Sequence, residues 1–295
     1  MQTTAPTVRV RIVGGLGNQM FGAAAAMALA QRLGAQLQFE LYRFRASSAQ
    51  TLPYELAPFN LPAKLCHSTD WRFKPEAGLY RWWRRITARA GGHTPVVWRQ
   101  PGHHFDPRFD RLSGDVYLKG YFQSWRYFES IAAQVRKAFD LQLAISPAGR
   151  ASAATAESAG ERSVAVHVRR GDYTQHTQRF ALLQKDYYER AIRLIGRAVE
   201  RPKFFVVSDD LAAAREMFAD RPDTTFAEGG TAFDDMHLIA SCHHHIIANS
   251  SFSWWGAWLS PWADGLTIAP RAWFSRAVSL QTYVDDTYPF GWLLT

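Results

Sequence analysis

The sequence predicts an α/β fold built on parallel sheets, and three observations predict it. Short runs of β-branched and apolar residues alternate along the chain with longer helical patterns, the order that βαβ units produce. Several of these runs are apolar almost throughout, as in Val164-Ala-Val and Phe204-Phe-Val-Val207, which is how strands covered on both faces read. The runs of the second half end in polar groups: Arg169 and Arg170; Ser208, Asp209 and Asp210; Glu228; Asn249, Ser250 and Ser251. Ligands of open parallel sheets bind at the carboxyl ends of the strands, so four polar strand ends predict one shared site.

The elements follow in order. Val8–Val13 alternates apolar and charged residues and predicts the first strand; Gly14-Gly-Leu-Gly-Asn-Gln19 predicts a tight loop, and the alanine-rich run from Met20 to Leu33 a close-packed helix ending at Gly34. Gln36–Leu41 predicts the next strand. Residues 42–112 lack clean periodicity and carry many arginines, prolines and aromatics, including Arg81-Trp-Trp-Arg-Arg85. A stretch of that kind suits a functional insertion facing an acceptor. Asp115–Trp125 predicts a strand entering an aromatic loop, and Arg126–Leu141 an amphipathic helix. The small and polar run Ser146–Ser163 predicts the boundary between an N-terminal domain, 1–150, and a C-terminal one, 151–295. Strands at Val164–Val168, Lys203–Asp210, Thr224–Ala227, His245–Ser251 and Leu266–Ala269 then alternate with helices at Asp186–Val199, Leu211–Phe218, Phe233–Ser241 and Phe252–Leu259.

Composition bounds the function. The 295 residues are 47% apolar and 20% charged, a soluble and core-forming balance for about two domains. A net charge of +8 favours anionic partners, but without a Lys/Arg block a nucleic-acid protein is not expected. Cys66 and Cys242 have neither zinc nor redox spacing and predict reduced thiols. No signal-peptide pattern opens the chain, and no run reaches the ~18 apolar residues of a membrane span. A cytoplasmic protein is expected, with its charge leaving open a peripheral seat on the inner face of a membrane.

The strand ends suggest the chemistry. Two guanidiniums, Arg169 and Arg170, at one strand end suit a pyrophosphate, because planar forks match paired phosphate oxygens and keep their charge at any working pH. Gly171 allows a sharp turn or a close approach. Ser250 or Ser251 is placed to cap the following helix, whose N-terminus offers N–H groups and a positive dipole end to a phosphate. Asp209, Asp210, Asp234 and Asp235 lack Asp-x-Asp spacing; ribose hydroxyl or guanine N–H recognition suits them at least as well as a metal. His243-His-His245 runs straight into an apolar strand, where alternate side chains point to opposite faces, so no metal site is expected. Glycines at 14, 15 and 17 do not give the G-x-G-x-x-G fingerprint, and the alternative is a loop presenting Asn18 and Gln19 at the mouth of a cleft.

His167-Val-Arg-Arg-Gly-Asp-Tyr173, Gly14-Gly-Leu-Gly-Asn-Gln-Met-Phe21, Phe204-Phe-Val-Val-Ser-Asp-Asp210 and Asn249-Ser-Ser-Phe-Ser-Trp-Trp-Gly-Ala-Trp258 together resemble the bacterial α-1,2-fucosyltransferases (galactoside 2-α-L-fucosyltransferases). The resemblance runs from Val8 to the C-terminus. It implies a GT-B architecture, two Rossmann-like domains facing a cleft, and an inverting transfer of L-fucose from GDP-L-fucose without a required metal. The implied acceptor is a galactose-terminated oligosaccharide or lipid-linked glycan. On these motifs, Arg169 holds the β-phosphate, and His167, Arg170 and Asp172 shape the same site. Ser208, Asp209 and Asp210 contact the nucleoside. Asn249, Ser250, Ser251 and Phe252 line the phosphate wall. Asn18 and Gln19, on the loop of Gly15 and Gly17, meet the acceptor hydroxyl or the leaving oxygen. Asn18 is a poor base, because an amide carries no proton-accepting charge. Asp172 or Glu40 serves, or the hydroxyl loses its proton late in a dissociative transition state. Gly22-Ala-Ala24 stands where related chains carry Gln-Tyr-Ala, a departure expected to loosen the first helix. A fucosyltransferase of another linkage, α-1,6 or α-1,3, and a non-catalytic nucleotide- or carbohydrate-binding protein are the alternatives.

Overall fold

A computed structural model of the chain describes residues 5–41, 53–67, 95–279 and 286–295. The basic aromatic run at 81–85 lies outside them. The chain forms two compact units, residues 1–138 with 285–287 and residues 139–284 with 288–295.

Among the described residues, the first unit holds a parallel sheet of five strands. These are β1 (Thr7–Arg11), β2 (Gln36–Glu40), β3 (Lys64–Cys66), β4 (Val96–Arg99) and β5 (Val116–Lys119), in the order β3-β2-β1-β5-β4. Two of them, β3 and β4, lie within the stretch expected to be irregular. The helix after β1 spans Leu16–Leu33, beginning inside the glycine loop rather than at Met20. Small residues bring it close to the sheet: Ala23 to Ala26 are fully buried, and a Cβ on Gly22 would lie 3.8 Å from Val10. At the Gly22-Ala-Ala24 departure the helix packs closely on β1. Gly34 ends the helix in the left-handed region at φ 59°, its N–H reaching the carbonyls of Ala30 and Gln31.

The predicted helix at Arg126–Leu141 is broken up. Two 3-10 turns, Trp125–Tyr127 and Glu129–Ile131, lead into a helix of only Ala132–Ala138, and a third turn covers Leu141–Leu143. Burial of aromatic rings decides this. Tyr127 packs edge-on against Phe105, Phe109 and Phe122, and Phe128, at φ −135°, turns inward too.

The second unit holds a parallel sheet of six described strands: β6 (Ser163–Val168), β7 (Lys203–Ser208), β8 (Thr224–Phe226), β9 (His244–Ile246), β10 (Thr267–Ala269) and β11 (Leu293–Leu294), in the order β11-β10-β9-β6-β7-β8. Every residue of the central strand β6 is buried. Its side chains alternate with the period of two: Val164, Val166 and Val168 pack with Tyr188, Ala191, Ile192 and Ile195 of the helix Lys185–Ala198, whereas Ala165 joins Phe205, Val207, Leu238 and Ile239 on the other face. Helices thus cover both faces, which explains the near-continuous apolar strands.

The expected boundary at 146–163 is replaced by structure. Ser146 caps a helix at Pro147–Ser158, and the units divide at Ala138/Phe139 instead of after residue 150. Asp234 fastens this helix to the helix Ala232–Ser241. Its carboxylate accepts from the Ser146 backbone N–H at 2.7 Å and hydroxyl at 3.0 Å, and from the Thr231 backbone N–H at 2.8 Å and hydroxyl at 3.0 Å. Burial pushes the Asp234 carboxyl upward, but these four donors outweigh it and hold the group below the usual range. Removing it strands two backbone N–H groups, each worth about 1–3 kcal/mol when left unpaired. Asp234→Ala is therefore expected to lose about 3 kcal/mol at neutral pH in chemical denaturation. A depressed carboxyl stabilises the fold above its unfolded value and ceases to as pH falls, so the gap from wild type should shrink below about pH 4.

Candidate active site at the strand ends

The site grows from β6. Its register with β7, His167 opposite Val207 and Val168 opposite Ser208, brings Arg169 and Asp209 out side by side. The Ser208 hydroxyl donates to the carbonyl of Val168 at 2.9 Å, tying the two strand ends together. Asp209 then folds back over the turn. One carboxylate oxygen accepts the backbone N–H of Arg170 at 2.9 Å and of Gly171 at 3.2 Å; the other pairs with Arg169 Nη1 at 2.9 Å. A Cβ on Gly171 would collide with this carboxylate, which is the reason for a glycine there. The Arg169 guanidinium also lies over the Tyr173 ring, 5.4 Å from its centre, and Tyr173 in turn stacks on Phe180 at 4.4 Å. Asp172 opens the short 3-10 turn Asp172–Thr174; its side chain is outside the described residues.

Neighbouring β9 supplies the other wall. Ser250 accepts the Phe252 N–H at 3.3 Å and caps the helix Ser251–Leu259, whose first turn carries no acidic residue. Its positive end is therefore not offset locally. Trp254 and Trp255, both fully buried, and Trp258 anchor the helix through close ring contacts. The two walls touch: Tyr173 donates to the Asn249 carbonyl at 2.9 Å, and the His167 ring sits 5.6 Å from the Phe252 ring. Burial, reinforced by the Arg169 charge, pushes the His167 imidazole down to about 3, so the ring is neutral at any working pH. Its Nδ1 is buried without a hydrogen-bond partner.

Several residues expected to meet ligand have polar atoms engaged within the protein. Ser208 and Asp209 are spent on the strand ends. Asp210 caps the helix Leu211–Met217 through the Ala213 N–H at 3.1 Å. Asn249 is fully buried, its amide donating to the carbonyls of Ala181 at 2.9 Å and Trp273 at 2.7 Å. Glu228 is paired with Arg215. Arg169, Arg170, Gly171, Ser251 and Phe252 remain partly exposed on one rim. In the His tract the His244 ring bonds the Glu161 carbonyl and the Leu266 N–H, and His245 the Ile239 carbonyl. No three His, Cys, Asp or Glu side chains converge among the described residues.

Asp235 is one of the acidic residues the sequence offered for guanine N–H recognition. It lies one turn before Leu238 and Ile239, which face Ala165 on β6, the residue two before His167. That spacing puts Asp235 on the same side of the sheet as His167, at its carboxyl end. Half-buried beside Asp234, its carboxyl is pushed up to about 6, first by burial and then by the neighbouring charge. The legible signal was a second acidic residue in the helix's first turn after the Asp234 cap had used the first.

In the first unit the glycine loop is equally committed. Gly14 takes φ 76°, and a Cβ there would meet Asn18 Nδ2 at 2.7 Å. Gly15 precedes the helix and Gly17 is buried in its first turn. The Gln123 amide donates to Asn18 Oδ1 at 2.6 Å, so the Asn18 N–H groups are the ones it presents. Gln19 is fully buried; it donates to the carbonyls of Gly14 at 2.8 Å and Pro53 at 2.7 Å and accepts the Glu55 N–H at 2.9 Å. Glu40, one of the two expected bases, is buried and held by Arg11 at 3.3 Å.

Residues 104–294 match the model of glycosyl transferase family 11. The chain is 31% identical over 284 residues to an α-1,2-colitosyltransferase of Escherichia coli, covering 91% of this chain and 93% of that protein. It is 29% identical over 263 residues to the human galactoside α-(1,2)-fucosyltransferase 1, covering 84% of this chain and 64% of that one. In fold it is similar to the fucosyltransferase NodZ from Bradyrhizobium, with a TM-score of 0.50 at 18% identity over 88% of this chain and 95% of that one. With its two parallel-sheet units, the braced arginine turn of the second and this span of matched sequence, the chain belongs to glycosyl transferase family 11.

Proposed function

We propose that the protein transfers L-fucose from GDP-L-fucose to the 2-hydroxyl of a terminal galactose, forming an α-1,2 linkage with inversion. The observation that carries this is Arg169, braced by Asp209 beside the uncompensated N-terminus of the helix Ser251–Leu259, in a chain of this family. The leaving diphosphate gains charge as the glycosidic bond breaks. A guanidinium and helix N–H groups already aimed at that charge stabilise it without reorganising. Arg169 here supplies the positive charge, and activity is expected to survive a chelator such as EDTA. Arg170 and Phe252 complete the rim. Asp235, on the same side of the sheet as His167, is suited to the N1–H and N2–H donors of guanine. The acceptor is a galactose-terminated oligosaccharide or lipid-linked glycan, and the net charge of +8 suits work at an anionic membrane surface. Among the described residues no helix is long and apolar enough to cross a membrane.

The similarity to a colitosyltransferase gives a second donor to assay, the sugar lacking one ring hydroxyl of fucose. Transfer to lactose from each donor, with the linkage read by NMR, tests both. Arg169→Ala is expected to lower kcat about 100- to 1,000-fold, the range for removing a transition-state donor. Wild-type-like turnover in that variant would refute the assignment. For the base pocket, Asp235→Ala is expected to weaken GDP more than IDP, which lacks the 2-amino group, in titration calorimetry. Only the ionised carboxylate accepts both guanine donors. Wild-type GDP affinity should therefore fall as pH drops below about 6, and the variant should not show this fall.

A further inference from the structure

In the second sheet the chain passes from β6 to β7 and β8 on one side and from β9 to β10 and β11 on the other, so β6 and β9 are neighbours whose connections part. The braced arginine and the serine-capped helix stand there. In the first sheet the parting falls between β1 and β5: β1 leads to β2 and β3 on one side, and β5 is reached from β4 on the other. Connections that part leave a crevice outside the carboxyl ends of the two strands, where ligands of open parallel sheets bind. Asn18 follows β1 and Gln123 follows β5. Though 105 residues apart, they meet: Gln123 Nε2 donates to Asn18 Oδ1 at 2.6 Å.

Both loops are constrained toward this pair. Phe122 is buried at φ 53°, a left-handed backbone that a bulky residue adopts only at a cost. Gln100, just past β4, holds it there, its Oε1 accepting the Tyr121 N–H at 3.0 Å and the Phe122 N–H at 2.8 Å. Residue 120 must be glycine for this, since a Cβ there would lie 2.7 Å from that oxygen. The Ser124 N–H then closes a three-residue turn on the Phe122 carbonyl at 2.8 Å, with Gln123 at its tip. On the other loop Gly14, at φ 76°, leaves the space that Asn18 fills. Backbone held in costly conformations collects at ligand sites.

The chemistry of the pair names its ligand. With the Asn18 oxygen occupied, the two half-buried side chains offer the Asn18 Nδ2 donors beside the Gln123 Oε1 acceptor. A sugar hydroxyl donates and accepts at once, and two adjoining amides meet both needs. The loops 14–19 and 120–124 contain no Asp, Glu, His, Lys or Arg. Of the cations at the neighbouring strand ends, Arg11 is engaged by Glu40 and Tyr117, and Lys119 lies over the Tyr117 ring at 4.6 Å. The crevice of the second sheet is cationic and suits a diphosphate; that of the first is lined by neutral amides and suits a neutral polyol. From this geometry, and on the functional reading above, we infer that Asn18 and Gln123 form a sugar-binding pair of the first unit, which grips a hydroxyl of the acceptor's terminal galactose, and that Gln123 is a specificity-determining residue. Both side chains and the groups that hold them belong to the first unit, so galactoside binding by the pair can be read without the donor.

The test titrates lactose and its analogues lacking single galactose hydroxyls into wild type and Gln123→Met, followed by ligand-observed NMR, with GDP affinity by calorimetry and the melting temperature alongside. Methionine keeps the length of the side chain and leaves the backbone turn intact, but has no amide. Lactose affinity is expected to fall about tenfold, the effect of losing one hydrogen bond, with GDP affinity and melting temperature unchanged. Wild type should disfavour the analogue lacking the gripped hydroxyl by a similar factor, and Gln123→Met should not distinguish it from lactose. Asn18→Ala should give the same loss, and the double variant little more, because the two amides act as one unit. Unchanged lactose affinity in Gln123→Met overturns the inference, as does a variant of lower melting temperature that keeps the wild-type selectivity among the analogues, the mark of a purely structural role. A wild type that binds lactose through this pair but transfers sugar from neither donor overturns the functional reading and leaves the sugar-binding pair standing.

Discussion

The Asp209 carboxylate is the constraint on which the donor side depends. One side chain accepts from two consecutive backbone N–H groups and pairs with the guanidinium just before them. The turn after β6 would otherwise leave the Arg170 and Gly171 N–H groups unpaired and Arg169 free to sample its rotamers. The pair is about a quarter exposed, so as an ion pair it adds little to stability. Its value is in placement. A long, flexible cation is held where charge will appear, and the entropy of fixing it is lost on folding rather than on binding. Gly171 and the Ser208 bridge follow from the same need, since the carboxylate can reach the turn only if nothing projects from residue 171 and the two strand ends stay in register.

Charge around that brace is arranged in one sense. Arg169 and the helix N-terminus at Ser250 are positive, and His167 is kept uncharged by burial and by the arginine itself. A protonated histidine there would cost desolvation and repel Arg169; a neutral ring packs against Phe252 instead. The same desolvation keeps His245 neutral deep under the sheet, with its imidazole down to about 3. Three consecutive histidines thus resemble a metal tract in sequence and act as hydrogen-bonding core in the fold, because a strand turns alternate rings to opposite sides.

Much of the second unit was legible, and the reason is periodicity. Buried parallel strands are apolar throughout, their helices are amphipathic, and polar residues mark the ends, so β6, β7 and the helices after them lie within a residue or two of expectation. Where the period failed, tertiary contacts had taken over. Aromatic burial broke the predicted helix at 126–141, and Ser146–Ser158, poor in apolar residues, became a helix because Asp234 fastens its start. The site was half legible for a related reason. A motif shows which residues sit at a strand end but not which hydrogen bonds they make. Ser208, Asp210, Asn249 and Gln19 all stand where expected, yet each bonds backbone groups, and Asp209 divides its carboxylate between the turn's N–H groups and Arg169. Asp235, one of four carboxylates the sequence offered for the base, is marked out only in the fold, by burial beside the Asp234 cap.

This division of labour has a consequence for the sugar. On the proposed function the residues at these strand ends face a diphosphate and a base, and groups that grip phosphate oxygens do not read a hexose ring. Fucose and colitose differ by one hydroxyl, and selectivity between them is asymmetric. A site with a buried polar group paired to that hydroxyl rejects the sugar lacking it strongly, because the group is left unsatisfied. An apolar site excludes the extra hydroxyl only about 100-fold. Strict use of fucose therefore requires a dedicated partner for the hydroxyl, whereas a colitose enzyme needs only to lack one. On the proposed function, a site with this Arg169–Asp209 brace and serine-capped helix can take either donor, since these groups meet the leaving diphosphate and not the sugar ring.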